Sequence, residues 1–427
     1  MKSVRFGVVG LGNMGVPHAR NCKENGGTMV KLAAVCDIVP EKAEGIGKEL
    51  GVPYFTDHRE MISSGECDAV IIATPHYWHP SIGIRAARAG LHVLCEKPLA
   101  STVGPARAMI EECRKHKVAF GCVLHHRTRT AMIKLRKMIE AGAIGDVFRV
   151  QLICSSWFRT QAYYDSGAWR GTWDGEGGGV LINQAPHHLD LFQWMAGGLP
   201  QCIIASIDTR DHRIEVEDTA NVILDYGKGK VGYIYATTAE QPGMEQMTII
   251  GTQGTLVFEK GKLMHGKLQH PIEQSIYGVK GQDVIKTPGG GKQKVSWKEV
   301  KLPKNAGGTH LEIIKGFAKH VVKGTPMYID GPEAIKELEI SNAAYISGFK
   351  NKVVDMPVDA GEIERLIKQL EKERSTGKGG GMRAEAEKDF QKLMRQGAKR
   401  KTTRKSPVKK RGGKSAGKKS RKKSAKK

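Results

Sequence analysis

The chain has 427 residues, 40% of them hydrophobic, which is enough for two domains and an extension around a sizeable core. Its formal charge is +24, but residues 397–427 hold sixteen Lys and Arg and no acid, so that stretch carries +16 and the rest is only mildly basic. This excludes a nucleic-acid footprint spread over the whole fold, and no apolar run is long enough to span a membrane.

In chain order, residues 4–9 are an apolar run suited to a buried parallel strand, and they lead into Gly10-x-Gly12-x-x-Gly15 and a helical pattern. In such a stretch Gly10 allows a sharp turn, Gly12 allows a pyrophosphate to approach, and Gly15 allows helix and strand to pack closely. Asn13 and Met14 lie between them, at the helix N-terminus that offers free NH groups to phosphates. A second apolar run, 31–36, ends at Asp37, 22 residues beyond Gly15 and near the position of a ribose-binding acid. Asp37 would repel a 2′-phosphate and no Arg follows it, so NAD is expected rather than NADP.

Residues 40–50 read as a helix opened by Pro40 and stopped by Gly51. Strands are expected at 69–73, 91–95 and 118–124, with helices at 81–89 and 103–116 between them. This alternation predicts a doubly wound parallel sheet over residues 1–125. Gly10, Asp37, Thr74-Pro75 and Glu96-Lys97 all fall at strand carboxyl ends, where such sheets bind ligands.

A second α/β domain is expected over 126–358. It begins with a helix at 130–141 and a strand at 147–155, then an aromatic-rich stretch at 157–179 and a helix at 180–195. Strand-like runs at 203–207, 219–225, 230–236, 247–250 and 255–258 suggest a large, mainly antiparallel open sheet. Residues 260–307 read as long loops, followed by helices at 310–323 and 332–350. A charged helical extension covers 359–396, interrupted by a flexible linker at 376–381, and 397–427 reads as a disordered Lys-rich tail. The eight cysteines are scattered without a CxxC pair, which argues for reduced thiols and a cytoplasmic protein. Residues 1–3 lead directly into the first strand, so no cleaved signal is expected.

Gly10-x-Gly12-x-x-Gly15, Thr74-Pro75 with His79, Glu96-Lys97-Pro98, and Gly177-Gly178-Gly179 followed by Asn183, His187 and Asp190 together resemble the glucose-fructose oxidoreductase/inositol dehydrogenase (Gfo/Idh/MocA) family over residues 1–358. The resemblance implies an N-terminal Rossmann domain and a C-terminal α/β domain whose open sheet forms a homodimer or homotetramer interface. It also implies nicotinamide-dependent oxidation or reduction of a sugar-like alcohol, with Thr74, Pro75 and His79 in the cofactor site and Glu96 accepting from the nicotinamide ribose.

Hydride transfer from a secondary alcohol needs a base for the hydroxyl proton and a cation for the developing oxyanion. Lys97 suits the second role and His187 the first, with Asn183 one turn before it and Asp190 one turn after. Asn183 replaces an Asp found in many relatives and cannot accept a proton, so it can only orient the substrate or His187. His188 points elsewhere and reads as structural. No metal is expected, because His187, His188 and Asp190 lack a CxxC or HExxH companion.

Trp157, Arg159, Tyr163, Trp169 and Arg170 interleave flat apolar faces with donors, as a sugar site requires. Arg127 and His126 are further candidates for this pocket. The aromatic stretch resembles the branch containing levoglucosan dehydrogenase and glycoside 3-dehydrogenases, which implies oxidation of a pyranoside hydroxyl at a position such as C3. Rival expectations are an inositol 2-dehydrogenase, a sugar-nucleotide dehydrogenase, and a non-catalytic NAD-sensing protein held on nucleic acid. The basic tail reads either as a neutral solvated extension or as a non-specific contact for nucleic acid or another polyanion.

Overall fold

The computed structural model describes residues 2–278 and 293–403, the last seven of these by backbone only. Strands β1 (Val4–Val9), β2 (Val30–Cys36), β3 (Tyr54–Phe55), β4 (Ala69–Ile72), β5 (His92–Cys95) and β6 (Phe120–Cys122) form a parallel sheet in the order β3-β2-β1-β4-β5-β6. β4 is buried along its whole length because helices cover both faces, which is why it reads as a continuous apolar run. The strand order reverses between β1 and β4, so a crevice opens at their carboxyl ends. The two-residue β3 and the helix His58–Ser63, capped by Asp57, were absent from the sequence reading; both are too short to show a period.

The second sheet is mixed and has nine strands. These are β7 (Val147–Cys154), β8 (Cys202–Asp208), β9 (Thr219–Asp225), β10 (Val231–Thr237), β11 (Glu245–Gly251), β12 (Gly254–Glu259), β13 (Lys262–Leu268), β14 (Val295–Glu299) and β15 (Val354–Asp355), in the order β14-β13-β12-β11-β7-β10-β9-β8-β15. Only β7 and β10 pair in parallel; the others run antiparallel, as the spacing of the runs suggests. Successive residues point to opposite faces. Ile203, Leu224 and Val150 face the helices Pro186–Ala196 and Gly331–Lys350 and are fully buried. Their neighbours Ile204 and Ile223, paired in register, are 50% and 54% exposed on the other face.

Two expectations need correction here. Residues 260–307 are not all loop: Lys260 and Gly261, both at positive φ, turn the chain into β13, and β14 pairs beyond it. β13 is polar with Gly266 at its centre, where Trp297 covers the backbone, so its composition concealed a strand. The helix expected at 180–195 starts at Pro186. Before it, the Glu217 carboxylate accepts from Gly179 N at 3.0 Å and Leu181 N at 2.9 Å, holding residues 179–185 in a turn.

The extension packs on the body. The helix Ala360–Arg374 buries Ile363, Leu366, Ile367 and Leu370 against the helices Val103–Lys115 and Gly331–Lys350. Residues 376–381, expected to be a flexible linker, are instead tied down. Thr376 donates N–H and hydroxyl to Glu215, each at 2.6 Å, and Lys378 Nζ donates to the Tyr164 carbonyl at 2.6 Å. The Asp174 carboxylate accepts from Gly381, Met382 and Arg383 N at 2.6, 2.9 and 2.8 Å, capping the helix Met382–Thr403. Glycine-rich composition mimics a linker, but here it lets backbone NH groups converge on one carboxylate. The last helix crosses the Rossmann helix His79–Arg88 through Arg85–Asp389 at 2.6 Å and Arg88 to the Leu393 carbonyl at 2.8 Å. It runs to Thr403, into the stretch read as a disordered tail; residues 404–427 lie outside the described residues.

Candidate active site

A cleft of about 1260 Å³ runs from the crevice above β1 and β4 to the aromatic stretch of the second domain. At its nucleotide end Gly10 turns at φ 90, and a side chain there would press on the Ala73 carbonyl at 2.7 Å. A Cβ at Gly12 meets nothing within 4 Å, leaving open space over the glycine turn, while one at Gly15 would collide with the Gly10 carbonyl. Asn13 and Met14 line the cleft beside Gly12. Asp37 accepts from Leu11 N at 2.7 Å and Val39 N at 2.9 Å, which fixes its carboxylate at the rim. This cradle fits a dinucleotide, with Gly12 and the helix Gly15–Glu24 toward the pyrophosphate and Asp37 toward a ribose.

At the centre of the cleft β5 ends in Glu96 and Lys97. Lys97 Nζ donates to the Asn183 carbonyl at 2.8 Å, and the Asn183 side-chain amide donates to Glu176. Burial lowers the Lys97 pKa, opposed by the carboxylates of Glu96, Glu337 and Glu176. Glu96 bonds His18 at 2.6 Å and accepts from Lys97 N at 3.1 Å. Burial works against its charge, but His18, His310 and Lys97 hold its pKa down at about 2. Glu96 is therefore a carboxylate facing the cleft beside the cradle.

His187 is the second residue of its helix, one residue after Pro186. Its ring lies 4.3 Å from that of His125 and stacks on that of His126 at 4.5 Å, centre to centre, and the ring of His310 lies tilted against that of His125 at 3.9 Å. Burial, then the neighbouring His126, His125 and Lys97, push its pKa well below the ordinary value. His187 is thus a neutral imidazole, and its Nδ1 is buried without a partner. His18, His125 and His310 were absent from the sequence reading. Their signal was the positions they share with the motif residues: the first helix turn after Gly15, the end of β6, and a helix start.

The aromatic stretch forms the far wall. Trp157, Arg159, Tyr163, Trp169 and Arg170 all line the cleft, together with Gln184, which was not anticipated. His188 is buried and bonds Glu245 at 3.3 Å, so it is structural as expected.

Two residues do not take the expected place. Arg127 lies outside the cleft lining, donating to both Asp190 oxygens at 2.8 and 2.7 Å and to Glu333 at 3.0 Å. A guanidinium after β6 faces these two acids because helices of the second domain carry them against that strand end. His79 reaches the cleft, but its ring nitrogens are spent on the Pro98 and Thr74 carbonyls at 2.9 and 2.8 Å, so it clamps the two loops and has no nitrogen to spare for a cofactor. Thr74 and Pro75 themselves line the cleft. Among the described residues no group of His, Cys, Asp and Glu is arranged to hold a metal ion, and no helix is long and apolar enough to cross a membrane.

Comparison with known proteins agrees with this geometry. Residues 4–123 match the model of the GFO/IDH/MocA oxidoreductase family with its NAD-binding Rossmann fold, and residues 132–257 match that family's C-terminal domain. Myo-inositol 2-dehydrogenase of Thermotoga maritima is 24% identical over 80% of this chain and 95% of its own. Levoglucosan dehydrogenase of Pseudarthrobacter phenanthrenivorans is 24% identical over 84% of this chain and 99% of its own. The WlbA dehydrogenase of Bordetella pertussis, solved with NADH and UDP-GlcNAcA, superposes with a TM-score of 0.69 at 27% identity, covering 84% of this chain and 100% of that one. The chain belongs to the GFO/IDH/MocA family of oxidoreductases, with the family's Rossmann domain followed by its C-terminal domain.

Proposed function

We propose that this protein is an NAD-dependent dehydrogenase acting on a secondary alcohol of a pyranoside, sugar or cyclitol, with C3 of a glycoside the favoured position. The observation that carries this reading is the meeting of Lys97, Asn183 and His187 in one cleft with the glycine cradle and Asp37. The NAD, when bound, supplies the hydride acceptor. Lys97, a cation held by the Asn183 carbonyl, stabilises the oxygen as it becomes an oxyanion. His187 accepts the hydroxyl proton; because its imidazolium is disfavoured by burial and by neighbouring imidazoles, it passes that proton on to solvent water and returns to the neutral form. Asn183 positions Lys97 through its backbone carbonyl, while its side-chain amide is held by Glu176.

NAD is favoured over NADP because the fixed Asp37 carboxylate would repel a 2′-phosphate. The relatives act on, or bind, inositol, levoglucosan and a sugar nucleotide by name, which supports a sugar substrate. Ile204 and Ile223, exposed side by side on the open sheet face, support a homodimer or homotetramer through that face. The Lys-rich tail supports a salt-dependent contact with a polyanion such as nucleic acid.

The test is NAD reduction, read by absorbance, with neutral glycosides, levoglucosan, inositols and sugar nucleotides. Turnover of a glycoside in preference to myo-inositol supports the reading. Bound NAD with no reduction by any member of the panel refutes it.

A further inference from the structure

We propose that the substrate is an anionic sugar, carrying a carboxylate or phosphate group that the guanidinium groups of Arg159 and Arg170 grip at the aromatic wall of the cleft. This deepens the dehydrogenase reading and rests on it. Both guanidinium carbons stack on Tyr163, at 4.4 and 4.5 Å from its ring centre, with Trp157 beside Arg159 and Trp169 beside Arg170. The stacking orients each planar fork and leaves further NH groups beyond the one Arg170 spends on the Tyr163 hydroxyl, which suits recognition of a carboxylate or phosphate.

Neither guanidinium makes a direct ion pair, although the Arg170 charge reaches Glu176 and opposes the effect of burial on it. Among the described residues no acid pairs with Arg159 or Arg170, whereas Arg127 and Arg129 nearby are paired with Asp190 and Glu245. Arg159 Nε is buried without any acceptor. Among the described residues the only side-chain hydrogen bond of Arg170 is to the Tyr163 hydroxyl, at 2.6 Å.

The carboxylates at this end of the cleft are already committed. Glu96 is bonded to His18. Glu176 accepts from Gly171 N at 2.7 Å and from Asn183, and burial raises its pKa toward the neutral acid. Lys97 adds a third cation to the same space. A neutral sugar offers hydroxyls that both donate and accept, and would be matched by a wall of mixed character. This wall is donor-rich and positively charged, and the two guanidinium groups keep NH groups without an acceptor until an anion enters.

The group could sit on the sugar ring, as in a uronate, or in a phosphate or diphosphate at the anomeric position. Steady-state kinetics would compare a neutral alkyl glucoside, the matching glucuronide, a sugar 1-phosphate and a nucleoside-diphosphate sugar. The same compounds would be titrated calorimetrically into the NADH-loaded protein. The expected result is a kcat/KM at least about 10²-fold higher for one anionic member than for the neutral glucoside. That preference should collapse toward one in R159M/R170M, survive in part in R159K/R170K, and shrink as salt is raised. The member that wins identifies the position of the charge.

Equal use of neutral and anionic sugars, or a preference unchanged in R159M/R170M, overturns the inference while leaving the dehydrogenase reading intact. Anion-selective binding to the NADH complex without turnover upholds the inference and refutes the dehydrogenase reading. Absence of anion-selective binding in both assays overturns the inference.

Discussion

The Lys97 ammonium donates to the Asn183 carbonyl at 2.8 Å, and this one hydrogen bond joins the end of β5 in the Rossmann sheet to the turn before the helix Pro186–Ala196. The ammonium assigned to the reacting oxygen in the proposed reaction is therefore placed jointly by both domains. Asn183 in turn donates its side-chain amide to Glu176, so both its backbone and its side chain are engaged.

Replacing Lys97 by Met should lower kcat by about 10²–10³, the usual loss for one oxyanion donor. NAD affinity, measured by fluorescence titration, should change little, because the cradle of Gly10 and Asp37 is untouched. In the wild type, burial lowers the Lys97 pKa, and the charged form is the one the chemistry uses. Activity should consequently fall as pH rises, with its alkaline limb below 10.5, the ordinary Lys value. A pH–rate profile of K97R, which stays charged, should lack that limb.

Replacing Asp37 by Ser should raise the NADP-to-NAD ratio of kcat/KM by about tenfold or more, since about 1.4 kcal/mol of like-charge repulsion corresponds to that factor. Lys42 and Arg59 also line this end of the cleft and are available to a 2′-phosphate. Parallel kinetics with the two cofactors would decide it.

Arg127 should prove a residue of stability. R127M leaves Asp190 buried and unpaired, a defect worth about 3–5 kcal/mol near neutral pH. Burial already raises the Asp190 pKa, despite Arg127. As pH falls, Asp190 in the variant takes up a proton and the penalty shrinks. Denaturant unfolding of both proteins at neutral pH and at about pH 5 should show the gap narrowing.

Cutting the chain before Thr376 should speed release of bound NAD by about tenfold, read by stopped-flow fluorescence. D174A should act in the same direction more weakly, since it removes a helix cap worth about 0.5–2 kcal/mol. It should also admit protease between Thr376 and Met382.

Much of the fold was legible because its signals are local. Gly10, Gly12, Gly15 and Asp37 announce a nucleotide crevice through spacing alone, and the long apolar strands of the first sheet follow from burial on both faces. β13 was hidden because an outer strand with polar side chains and Gly266 at its centre has neither run nor clean alternation. Arg127 and His79 misled for another reason. A basic residue at a strand end reads the same whether it faces the ligand, a buried Asp190 or two carbonyls, and only the tertiary neighbours decide. Likewise the low pKa of His187 comes from burial and then from His126 and His125, which reach it from the turn after β6 rather than from its own helix. The glycines of 376–381 signalled freedom where the fold uses them to gather amides on Asp174.

The family's two domain matches end at residue 257, yet Gly379, Gly380, Met382 and Glu385 form part of the cleft wall. The helix that starts there is anchored at one end to the substrate domain through Asp174 and along its length to the Rossmann domain through Arg85 and Arg88. Any parting of the two domains would have to break one of those anchors. The Lys-rich tail continues from this same helix. Whatever binds the tail is therefore joined by the chain to the helix that bridges the two domains.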